Sequence, residues 1–195
     1  MQAKIRNQAA NLDEDSPARR KLLRLARQVR SGDTGNAEAQ AARIYWQHWL
    51  GPEEPFRRDP DVTGLNSFLN YGYAVMRAAV GRAIVAAGLT PAVGLFHCSR
   101  GNAFCLADDL VEPLRPLVDE RVKMLKELGH VDLTQEAKAG LLDLLAAPMR
   151  TAGQEGPLMG RLHLLVASLV RCFGGSANRL DIPQRCEPGV RAAAD

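Results

Sequence analysis

An all-α domain is the fold class that this sequence predicts, and three observations predict it. Apolar residues recur at intervals of three and four through most of the chain, these runs begin and end on helix-starting and helix-stopping residues, and strand-like alternation is hard to find anywhere. At 195 residues, 46% hydrophobic and 24% charged, the chain is long enough for one multi-helix domain with its own core. That domain is expected over residues 1–175, with an irregular tail over 176–195.

The first helix is expected in SPARRKLLRLARQVRSGD, with Ser16 as its N-cap and Pro17 at the first helical position, where a missing N–H costs nothing. Ala18, Leu22, Leu25, Ala26 and Val29 form its apolar stripe, and Arg20, Arg24 and Arg27 form a basic face opposite. A turn over 32–36 leads into AEAQAARIYWQHWLG, a helix stopped by Gly51 and Pro52. Glu38 shares the spacing of Ala41, Ala42, Tyr45 and Trp49, a core-facing position where a carboxylate needs a cation. The stretch GPEEPFRRDPDVTG reads as a charged connector outside the core. From Leu65 to about Ala87, the positions Leu69, Tyr73, Met76, Val80, Ala83 and Ala87 keep the spacing of a long buried helix, and Gly88 stops it. A loop punctuated by Gly and Pro follows, then a helix from about Ala107 to Leu128 that ends at Gly129. Two more helices are expected, about Gln135–Ala147 and Pro157–Phe173, the second closed by Gly174 and Gly175.

Net charge is only +3, so composition alone does not announce a nucleic-acid binder, although the pI of about 8.8 leans that way. Its distribution is uneven: residues 1–36 carry eight Lys or Arg against four acids. No apolar run approaches the roughly 20 residues of a membrane span, and the polar, basic start lacks the apolar region of a secretion signal. A cytoplasmic location is therefore expected. Cys98, Cys105, Cys172 and Cys186 form no CxxC pair and are expected to be reduced, small hydrophobic residues.

The densest chemistry lies in GLFHCSRGNAFCLADDLVEPLRP, residues 94–116. Asp109 and Glu112 have the spacing of a reciprocal N-terminal cap, Pro113 suits a first helical turn, and His97 suits a hydrogen-bonded loop position. Taken with Glu38, the same residues suit a second role. Two carboxylates and one imidazole form a donor set for a divalent cation, Mg²⁺ or Mn²⁺ ahead of Zn²⁺ because the nitrogens are so few. On the residues alone both roles stand open. His48, His130 and His163 show no ligand spacing.

Four segments in order, NAEAQAARIYW (36–46), LNSFLNYGYAVMRAAVGRAI (65–84), GLTPAVGLFH (88–97) and LADDLVEPLRPLVD (106–119), resemble the CRISPR-associated spacer integrase, the larger of the two adaptation proteins. The likeness is to the forms that accompany single-protein effectors. It runs from about Lys4 to Asp119 and continues more weakly through the C-terminal helices. The resemblance implies the helical catalytic domain of that family. It puts the family's metal glutamate at Glu38 in EAxxAxxYW, its metal histidine at His97 closing GLxPxxGxxH, and its acidic third ligand at Glu112 in DLxEPxRP. Asp109 completes the implied catalytic set, behind the ligands or as an occasional ligand. Asn66, Asn70 and Tyr71 fall in NxxLNYGY, beside the implied metal site, to orient a ligand or a DNA phosphate or to pack, and Arg115 resembles an arginine that steadies the acidic helix. Ordinary members carry a β-rich N-terminal domain that helps make the dimer and engage the small partner protein. This sequence starts where that domain would end, so a naturally short form or a truncated piece is implied, with both assemblies left open.

The implied reaction is a transesterification. The 3′-hydroxyl of an incoming DNA fragment attacks a phosphodiester at the edge of a CRISPR repeat, with Mg²⁺ or Mn²⁺ and no energy cofactor. Because incoming fragments vary in sequence, DNA contacts are expected through the backbone, from Arg20, Arg24 and Arg27 with Arg57, Arg58, Arg77, Arg82 and Arg100. Two attacks at separated positions imply a homo-oligomer, a dimer or tetramer. The competing expectations are a helical DNA-binding or assembly subunit that cannot act alone, and a general metal-dependent nuclease.

Overall fold

The computed structural model describes residues 1–29, 35–51, 53–96 and 99–186. Most of the expected turn at 32–36, and Pro52, His97 and Cys98, lie outside the described residues. The described chain is mainly helical, as expected: α1 (Gln2–Ala10), α2 (Pro17–Gln28), α3 (Ala37–His48), α4 (Leu65–Ala86), α5 (Cys105–Val111), α6 (Arg115–Glu127), α7 (Gln135–Leu142) and α8 (Leu158–Phe173).

Helix α2 starts as its sequence requires, with the Ser16 hydroxyl accepting from the Arg19 N–H at 3.1 Å and Pro17 in the first turn. Ala18, Leu22, Leu25 and Ala26 are buried, which leaves Arg20, Arg24 and Arg27 exposed. The long helix α4 is the spine of the domain. It packs against α5, α6, α7 and α8, and its buried face includes Phe68, Leu69, Met76, Val80 and Ile84. Helix α1 was not expected, and it packs on α2, α3 and α6. Only Ile5, Gln8 and Ala9 of α1 are buried, too few to mark a period.

Several boundaries differ from expectation. The expected helix 107–128 is two helices, because Pro113 has no N–H to continue the ladder. Residues Glu112–Leu114 tighten into a 3₁₀ turn between α5 and α6. Helix α7 stops at Leu142 and passes into a second 3₁₀ turn, Asp143–Ala146. A small antiparallel sheet was also not expected. Strands β1 (Pro148–Thr151) and β2 (Gln154–Pro157) form a hairpin through Ala152 and Gly153, both at positive φ, and β3 (Gln184–Arg185) pairs with the other edge of β1. The expected irregular tail thus contributes one short strand. The connector before α4 is not wholly outside the core either. Phe56 packs on Trp46 and Trp49, with ring centroids 5.5 and 4.9 Å apart.

The crossing of α4 and α6 rests on Gly72, where a Cβ would run into Cγ1 of the fully buried Val118. Alanine is the better helix former by about 1 kcal/mol, but a methyl forced into a filled β-branched contact costs about 1–3 kcal/mol. The clash wins here, because Val118 has no flexible end to move aside. Gly72→Ala is expected to lower the melting temperature by about 5 °C at this chain length, read by circular dichroism. An unchanged or raised melting temperature would mean that the two helices part freely.

Candidate metal centre

Glu38 lies in the first turn of α3, where a negative charge favours the helix N-terminus. It is not on the buried face as expected. Ala37, Ala41 and Tyr45 fill that face, and the Glu38 side chain stays 31% exposed at its edge. Glu112 sits in the 3₁₀ turn made by Pro113, with its side chain 14% exposed.

These two carboxylates, far apart in the chain, meet at one cation. The Lys4 ammonium is 2.7 Å from Oε1 of Glu38 and 2.5 Å from Oε2 of Glu112. Helix α1 delivers it, and the amide of Asn7 ties that helix to the turn by donating to the Pro113 carbonyl at 2.7 Å. On its other side, Glu112 Oε1 is 2.9 Å from Nε of Arg115, whose guanidinium lies 4.8 Å over the Tyr73 ring. Arg115, which the resemblance takes to steady the acidic helix, thus pairs with the glutamate three residues before it. Oε2 of Glu112 is buried, and the Lys4 ammonium 2.5 Å away is the charge that offsets it. Two carboxylate oxygens already gathered around one positive charge form a donor set that suits a hard cation. Among the described residues no third His, Cys, Asp or Glu joins the pair, and His97 lies outside them.

Asp109 does not cap a helix with Glu112. It lies within α5, and its Oδ2 accepts from the backbone N–H groups of Leu95 and Phe96 at 2.6 and 2.9 Å. It therefore holds the backbone immediately before His97. Behind the site, Asp119 of α6 is fully buried and accepts hydrogen bonds from the hydroxyls of Tyr45, at 2.9 Å, and Tyr73, at 2.5 Å. Burial raises its pKa to about 7 even though the two hydroxyls, Arg115 and Lys4 pull it down. Burial, then the charge of Asp119, also raises both tyrosines well above their usual range.

The other expected contacts divide. Asn66 and Asn70 both bind the connector: their side-chain oxygens accept from Arg58 at 2.9 and 2.5 Å, and Asn66 also accepts from the Asp59 N–H. Tyr71 packs against the core with Lys138 near its ring. Arg77 is engaged by Asp108 and Asn102 and lies over Phe104. Arg20 donates to the Asp15 carbonyl at 2.6 Å, while Arg57, Arg82 and Arg100 are exposed.

A cleft of about 590 Å³ opens between α1, the hairpin and the segment before β3, and Arg6, Arg150, Arg179 and Arg185 line it. It does not contain the two glutamates. A smaller, mainly apolar pocket does reach Asp109 and Glu112, and it shares Ala3, Leu180 and Ile182 with the cleft. Sequence reasoning missed Lys4 and this arginine cleft. The resemblance started at Lys4 without giving it a role, and no local pattern links α1 to the hairpin or the tail.

Fold and site together define a class: an all-α domain that brings two glutamates from separate helical segments to one cation. The family follows from the sequence, since residues 1–143 match the family CRISPR associated protein Cas1 and the chain belongs to it. A relative described as CRISPR-associated endonuclease Cas1, from Neisseria meningitidis serogroup C (strain 8013), is 44% identical over 93% of this chain. The chain spans 60% of that relative's length. The fold is shared with a casposase bound to integration product, at a TM-score of 0.74 and 23% identity over 93% of this chain and 60% of the other. It is shared also with a chain of a Cas6-RT-Cas1–Cas2 complex, at 0.76 and 18% identity over 95% of this chain and 24% of the other.

Proposed function

We propose that this chain supplies the catalytic helical domain of a Mg²⁺- or Mn²⁺-dependent DNA integrase of CRISPR adaptation, which joins 3′-hydroxyl ends of spacer DNA to the CRISPR repeat by transesterification. The observation that carries the reading is the convergence of Glu38 and Glu112 on a single cation. The relative named as an endonuclease and the casposase with its integration product support it.

Glu38 and Glu112 would hold the divalent ion, with His97 as the third ligand. Bound there, the ion supplies Lewis acidity to a phosphodiester and activates an attacking hydroxyl. The chain's own residues make the site ready. Arg115 restrains Glu112 from one side, and Asp109 fixes the backbone that leads to His97, so less reorganisation is left for the moment of reaction. Arg20, Arg24 and Arg27 on α2, and the arginines of the cleft, suit phosphates, which carry no sequence information. Joining both ends of a fragment requires two such sites, hence a homo-oligomer, a dimer or tetramer. DNA and the small adaptation protein are its partners, in keeping with the complex named for one structural neighbour. Action on DNA in the cytoplasm belongs to the same proposal; among the described residues no helix is long and apolar enough to cross a membrane.

The test is a joining assay with supercoiled plasmid, short duplexes bearing free 3′-hydroxyls, and Mg²⁺ or Mn²⁺. The expected product is relaxed plasmid covalently linked to the duplex. DNA binding without joining would replace this reading with the assembly subunit, and cleavage without linkage would replace it with a general nuclease.

A further inference from the structure

If Glu38 and Glu112 are metal ligands, Lys4 stands where the metal belongs. Its ammonium contacts one oxygen of each carboxylate, at 2.7 and 2.5 Å, and its side chain is only 14% exposed. A divalent ion held by Glu38 and Glu112 would need the space that the ammonium occupies, and two like charges would not share it. The backbone of Lys4 is fixed, since Ile5 is fully buried beside it and Asn7 is bonded to the turn that carries Glu112. The four-carbon stem is not, and it can swing the charge aside without moving α1.

We infer that Lys4 is an internal counter-ion that gathers the two glutamates before loading and is exchanged for the divalent ion, so that metal binding and release of the ammonium are one event. This rests on the metal-site reading above. Lys4 is thus a positioning residue: it prevents two carboxylates from repelling each other apart, and it sets the metal concentration at which the site fills.

The exchange is read on the whole chain without DNA, by mass spectrometry of amine acetylation at Lys4 with and without saturating Mn²⁺. Labelling of Lys4 is expected to rise about tenfold as its covered population is depleted, while the exposed Lys21 serves as an unchanging reference. Lys4→Met, which removes the competitor, is expected to bind Mn²⁺ about tenfold more tightly by electron paramagnetic resonance of the free ion. Lys4→Arg keeps the charge and is expected to show no such gain. Should Lys4→Met fail to fold, the labelling of the unaltered protein decides alone. Unchanged Lys4 labelling, in a protein whose Mn²⁺ binding is lost on Glu38→Gln, overturns the exchange and leaves the metal site standing. Mn²⁺ binding that survives Glu38→Gln and Glu112→Gln alike overturns the metal site itself, and the exchange with it.

Discussion

Glu112→Gln is expected to lower the rate of strand joining by about 10²–10³-fold, equivalent to about 3–4 kcal/mol of lost transition-state stabilisation. The exchange of one oxygen for an amide keeps the shape of the side chain and removes its charge. Lys4 and Arg115 then face a neutral group, and the pair of carboxylates that would hold a divalent ion becomes a single one. Glu38→Gln should have a similar effect for the same reason, although its side chain is more exposed and tolerates the change better in the fold. Both variants should keep the helical circular dichroism of the unaltered protein and still bind DNA, which separates lost chemistry from lost structure. Joining within about threefold of the unaltered protein, a difference of less than 1 kcal/mol, would move the active site away from these two side chains.

What the sequence made legible depended on how local the cause was. Helix α2 could be read from Ser16 and Pro17, because a cap and a first-turn proline act within a few residues. Helix α4 could be read because its 22 residues repeat the buried period many times. Helix α1 could not, since it buries one short face and is held by contacts to the turn before α6 rather than by its own pattern. The same division runs through the site. Glu38 and Glu112 were reached through motif order, whereas Lys4 meets Glu38 across 34 positions and carries no local mark of its partners. Asp109 misled for a physical reason. Its spacing to Glu112 suits a cap only if a helix starts there, but Pro113 ends one instead, and the carboxylate accepts from the Leu95 and Phe96 amides. Asp119 offered no signal at all, because a buried acid between two tyrosines is a product of how α3, α4 and α6 cross.

Asp119 nevertheless has the largest expected effect on stability. Its carboxylate binds the hydroxyls of Tyr45 and Tyr73, and Tyr45 in turn accepts from the Asn11 amide at 2.8 Å, so one side chain links α3, α4 and α6 to the end of α1. The network continues to the tail, where Arg185 donates to Asn11 and pairs with Glu120 at 2.7 Å. Asp119→Ala removes the acceptor of two buried O–H donors, each at about 1–3 kcal/mol, and leaves a void where the carboxyl stood. A loss of about 3–5 kcal/mol follows, or about 10 °C or more in melting temperature. A loss under about 2 °C would mean that the tyrosines find other partners. Asp119→Asn tests the charge alone. With its folded pKa raised to about 7 by burial, and about 3.9 when unfolded, the group is protonated in both states below about pH 4. Between about pH 4 and 7 only the folded protein keeps the proton, so this group's contribution to stability falls as pH rises and levels off above 7. From pH 5 to 8 the unaltered protein should therefore lose about 2–3 kcal/mol relative to Asp119→Asn, seen as about 5–10 °C in the difference of their melting temperatures. A difference that is flat with pH, or that grows in favour of aspartate as pH rises, would place a stabilised carboxylate at the centre of the fold, with the tyrosine hydroxyls outweighing burial.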